Sequence, residues 1–124
     1  MDVSEVNKSW IYYDDGRREE ATEEKLRAIM KQAAADKIFY SRMHRELSAM
    51  FNERNEELRA MPCPSKEEAD RLSIRRGFDA YFQREEYKQK ANQNSGILDA
   101  ASAALTKELK AQKIERQAQF ALSI

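Results

Sequence analysis

Histidine and cysteine occur once each in this chain, as His44 and Cys63, and that scarcity removes whole classes of chemistry. A zinc finger needs four ligands drawn from those residue types. A di-iron bundle needs Glu-x-x-His on paired helices, and the residue three before His44 is Ser41. No serine or cysteine is placed by motif to use His44 as a base, and no glycine-rich phosphate loop is present. Glu19, Glu20, Glu23 and Glu24 form an acidic cluster without EF-hand spacing. The expectation is a chain that is not an enzyme, with no metal site, no cofactor and no small-molecule substrate. A lone Cys63 makes no internal disulfide, and one thiol suits a reducing compartment.

Long apolar runs are also missing. Nothing approaches the roughly 18 residues of a membrane span, and the first residues lack the apolar stretch of a signal peptide. A cytoplasmic protein, or one built into a larger assembly, is expected, neither secreted nor transmembrane. Nor is there an excess of charge: Lys plus Arg and Asp plus Glu each number 22. That balance argues against broad affinity for nucleic acid or anionic membrane. It is uneven along the chain, since residues 1–25 are acidic on balance and residues 26–61 basic.

What is abundant is helix-forming material. Ala, Glu, Lys, Leu and Arg make up half of the 124 residues, the composition of long helices or coiled coils. Leu, Ile, Val and Phe together supply under a fifth, so a monomer has little with which to build a core, and a partner is the usual remedy. With only two prolines and three glycines the breaks are easy to place. Asp14-Asp15-Gly16 is a turn signal, and Met61-Pro62-Cys63-Pro64 must stop a helix. Asn92-Gln93-Asn94-Ser95-Gly96 reads as a second loop.

These breaks give one helical domain over residues 1–124. Residues 1–21 are an extended, aromatic segment. A long amphipathic helix of about 39 residues occupies 22–60, capped by Thr22 with Glu23 and Glu24 at its positive end. Leu26, Ala33, Tyr40, Leu47 and Met61 recur on it every seven residues, with Arg54 the exception. A second helix covers 66–91, begun by the Ser65-to-Glu68 capping box and possessing an alternative break at Gly77. Leu72, Ile74, Phe78, Tyr81, Phe82 and Tyr87 form its apolar side. A third covers 97–122, with Ile97, Ala101, Ala104, Ala111, Ala118 and Leu122 along one face. The fold class expected is all-α, an elongated bundle of three to four helices.

Function is sought among binding roles. The stretch Ser9-Trp10-Ile11-Tyr12-Tyr13-Asp14-Asp15-Gly16 alternates like a strand, but no partner strand is evident for it. Either it folds back and Trp10 fills a groove in the core, or it is a docking segment. In the docking reading Trp10, Tyr12 and Tyr13 are anchors, and Asp14, Asp15, Glu19 and Glu20 steer toward a basic surface. The favoured role is non-catalytic protein–protein interaction, as an adaptor, assembly component or inhibitor, with a protein partner, self-association or both. In size and helicity the chain is similar to small accessory proteins of phages and mobile elements, a likeness of composition that no motif carries. The alternative is a nucleic-acid-associated regulator using a basic stripe of Arg27, Lys31, Arg42, Arg45, Arg71, Arg75 and Arg76.

Overall fold

A computed structural model describes residues 2–124, the side chain of Arg76 excepted. The described residues form three strands, then three helices: β1 Val3–Val6, β2 Trp10–Tyr13, β3 Arg18–Glu20, α1 Glu23–Ala60, α2 Lys66–Arg76 and α3 Asp79–Ser123. The chain is mostly helical but not all-α. Its aromatic segment has the partners that its sequence hid, because the strands pair antiparallel in the order β1-β2-β3.

Two local devices make the sheet. Asn7 accepts the Ser9 and Trp10 amides through Oδ1 at 2.8 and 2.7 Å, which closes the first turn. The second is a three-residue loop in which Gly16, at φ 89°, donates to the Tyr13 carbonyl at 3.1 Å. That left-handed position is what glycine supplies in a hairpin of this length. A bulge lies between Val3 and Glu5, which pair with Tyr13 and Tyr12. It shifts the side-chain phase by one, so Val3 and Val6, three residues apart, both face inward beside Ile11.

The molecule divides into two compact units. The first runs to His44 and takes in Ser102–Ile124. In it Val3, Val6 and Ile11 pack on Leu26 and Ala33 of α1 and on Ile114, Ala118 and Ala121 of α3. The two helices are antiparallel here: Lys37 pairs with Glu115 at 2.7 Å, while Tyr40, further along α1, meets Lys107, earlier along α3. Ala104, Ala111 and Ala118 recur every seven residues on the buried face of α3, and their small size permits close approach. Gln117 of α3 accepts the Val6 amide at 3.0 Å, which ties the sheet to the helix.

The second unit is Arg45–Ala101. It contains Ser65, whose Oγ accepts the Glu68 amide at 3.1 Å as the capping box requires. α2 then ends at Gly77, at φ 79°, so the break weighed there is real. The loop expected at residues 92–96 is not: α3 runs through it without interruption. Glycine and asparagine each cost a helix interior at most about 1 kcal/mol, and packing outweighs that when no proline intervenes. Asn94 itself is 5% exposed. The expected helices 66–91 and 97–122 are therefore replaced by a short α2 and a 45-residue α3. Helix α1 keeps its expected bounds to within a residue, with Thr22 Oγ1 accepting the Lys25 amide at 3.2 Å.

Eight of the fourteen buried hydrophobic residues described are alanines, so each large buried side chain counts for much. Ile11 and Ile114 are the largest that are fully enclosed. Ile114→Ala is expected to destabilise the chain by about 2–5 kcal/mol, read as a lower denaturation midpoint with an unchanged slope. A change under about 0.5 kcal/mol, the size of an ordinary surface substitution, would place Ile114 outside the core.

Candidate interaction surfaces

The sheet has one face on the helices and one turned away from them. Ile11 and Tyr13 point inward. Trp10 and Tyr12 point outward, opposite Glu20 and Arg18 of β3, and Glu5 lies across from Tyr12 on β1. Trp10 is half-buried, not sealed in the core, and the Arg18 guanidinium lies 4.4 Å from its ring centre. That cation–π contact joins β2 to β3 on the outer face. Trp10 also borders an open groove of about 440 Å³ with Val6, Phe120 and Ile124, the last two 67% and 64% exposed.

The expected anchor set thus separates. Trp10, Tyr12 and Glu20 stand on the outer side. Tyr13 packs against the core, and its hydroxyl donates to Glu19 Oε2 at 3.5 Å. The acids proposed for steering are largely engaged within the fold. Asp14 meets Lys110 at 2.6 Å, Asp15 meets Arg17 at 2.6 Å, and Glu19 meets Lys25 at 2.8 Å. The Arg17 backbone amide, then its guanidinium, hold the Asp15 carboxyl below its usual range. The Lys25 ammonium does the same for Glu19, and each basic partner is shifted upward in return.

Four residues of the apolar side expected for the second helix lie on the surface. Ile74 on α2 is 87% exposed, and Phe78, Tyr81 and Phe82 are 70%, 47% and 62% exposed. The rings meet edge to face, Phe78 to Phe82 at 6.3 Å and Tyr81 to Phe82 at 5.8 Å between centres. Ile74, Phe78 and Tyr81 share one open depression. Ala69 and Ala80 take the buried places of this region instead, at 1% and 6% exposed. The signal that could have flagged this was the crowding of four large apolar residues within nine positions on either side of Gly77, more than one helix stripe can bury.

Of the basic stripe, Arg27, Lys31, Arg42 and Arg45 share one side of α1 by helical spacing and are exposed, with Arg27 held by Glu23 at 2.6 Å. Arg71 and Arg75 are exposed on α2, and the side chain of Arg76 lies outside the described residues. His44 is half-buried on α1, and Cys63 is an exposed free thiol between the prolines. A polar cleft of about 390 Å³ in the second unit is lined by Glu53, Arg54, Glu57, Lys90, Gln93 and Asn94 among others, with neither His44 nor Cys63 on its wall. Among the described residues no three His, Cys, Asp or Glu side chains gather to hold a metal ion, and no helix is long and apolar enough to cross a membrane.

The paired carboxylates give a pH dependence of definite sign. A carboxyl whose pKa is lowered on folding contributes stability in full above its unfolded value, about 4 for Asp and Glu, and loses it as pH falls through the folded value. Lys25 and Arg17, shifted upward, lose their contribution only at alkaline pH. Between about pH 6 and pH 3, wild-type chain should therefore lose more thermal stability than the Glu19→Gln variant. Equal losses in melting scans would remove the Glu19–Lys25 pair from the stability of the hairpin. Comparison with protein-family models, with curated proteins and with solved structures finds nothing that matches this chain.

Proposed function

We propose that the chain is a non-catalytic protein–protein interaction module, an adaptor, assembly component or inhibitor, that docks on a partner protein through the outer face of its N-terminal sheet. The observation that carries this reading is the side-by-side display of Trp10 and Tyr12 on the face of β2 that no core residue covers. Large aromatic side chains dominate interface energetics because they bury much area with few rotatable bonds. Here both strands flanking β2 already fix the backbone, so little conformational freedom is left to lose on binding. Glu5, Glu20 and Arg18 surround the pair with charge of both signs. Such a rim favours a partner surface of mixed charge over the purely basic one that the composition of residues 1–25 suggested. Of the arginines on α1 named for nucleic acid, Arg27 is already paired with Glu23.

With both side chains on the outer face, Trp10→Ala combined with Tyr12→Ala should leave the helical circular dichroism unchanged. Calorimetric titration against the partner isolated with wild-type chain should show affinity weakened by about 2 kcal/mol or more, roughly 30-fold. Unchanged affinity would remove this face from the interaction. Collapse of the helical signal would make the two aromatics part of the fold.

A further inference from the structure

We infer that the apolar cluster at the α2–α3 junction is the docking surface for a second copy of this chain. The surface is distinct from the sheet face, lies wholly within the second unit, and is independent of the reading given for Trp10 and Tyr12. Scattered exposed apolar side chains are ordinary, but contiguous ones are not. Ile74, Phe78, Tyr81 and Phe82 are contiguous, through their shared depression and through ring-to-ring contact. At about 200 Å² for a side chain of this size when fully exposed, their exposures leave roughly 500 Å² of apolar surface in water on each copy. Two such clusters laid face to face remove roughly 1,000 Å² before any rim is counted, the level at which a specific interface becomes feasible.

The charges around the cluster are of both signs on each helix and weigh against a strongly acidic or strongly basic occupant. α2 carries Arg71 and Arg75 together with the acids Glu67, Glu68 and Asp70, the last on the depression wall. α3, one turn beyond Phe82, carries Glu85 and Glu86 together with Arg84, and the two glutamates pair with Lys88 at 3.8 Å and Lys90 at 3.5 Å. A partner of one charge sign would meet like charge on both flanks. A second copy brings the same mixed rim and an equal apolar area across a two-fold axis, the self-complementary arrangement of an isologous dimer. The cluster therefore fits itself better than it fits an acidic or a basic stranger.

Sedimentation equilibrium of the full chain from about 1 μM to about 1 mM tests this. Mass should rise with concentration from 14.5 kDa toward twice that value. Phe78→Ser with Phe82→Ser should stay monomeric over the range with helicity intact. Ile74→Lys does the same work at a position so exposed that folding cannot depend on it, which covers loss of fold in the double variant. A wild-type mass fixed at 14.5 kDa throughout, or association indifferent to Ile74→Lys, overturns the inference.

Discussion

Ile11, with none of its surface exposed, is the contact around which the first unit is built. The helices it rests on approach each other over alanines, which allow proximity but bury little area. Full burial of a branched side chain contributes about 1.5–3 kcal/mol, several times what a single methyl provides. Val3, Val6 and Ile11 therefore supply the bulk that the alanine face of α3 lacks. The bulge in β1 follows from the same need, because without it Val3 and Val6 would point to opposite faces. The sheet is thus a structural part of the molecule and at the same time presents Trp10 and Tyr12 on its other side.

The helical part of this design was largely legible. Thr22 followed by two glutamates, a seven-residue apolar recurrence and a proline pair gave the bounds of α1, since each signal acts locally on the backbone. The Ser65–Glu68 cap and the alanine face of α3 were legible for the same reason. The sheet was not, although Asp14-Asp15-Gly16 after Trp10-Ile11-Tyr12-Tyr13 carries a hairpin signal. Its outer strands are the obstacle: Val3–Val6 holds two apolar residues out of phase, and Arg18–Glu20 is wholly charged. Both become strands through pairing with β2, a tertiary cause that local propensity does not register.

Residues 92–96 and 74–82 misled for opposite reasons. Asn, Ser and Gly look like a loop, yet their helical penalties are small and no proline interrupts the turns that carry buried Ala101 and Ala104 onward. Ile74, Phe78, Tyr81 and Phe82 look like a core, yet no apolar surface of the described chain covers them. Of the candidate site, Trp10, Tyr12 and Glu20 stand on the outer face of the sheet, the two aromatics half-buried there. Tyr13, Asp14, Asp15 and Glu19 were recruited into the hairpin and its anchorage to Lys110 and Lys25. Two apolar surfaces, one in each unit, stay outside the core of a chain rich in alanine and poor in large apolar residues.

Native-state hydrogen exchange on the full chain bears most directly on this account, because it asks whether sheet and alanine face are one cooperative structure. Amides of residues 11–13 should open with the same free energy as those of residues 26–33 and 111–118. Strand amides that exchange as freely as an unfolded peptide, while the helices stay protected, would contradict it.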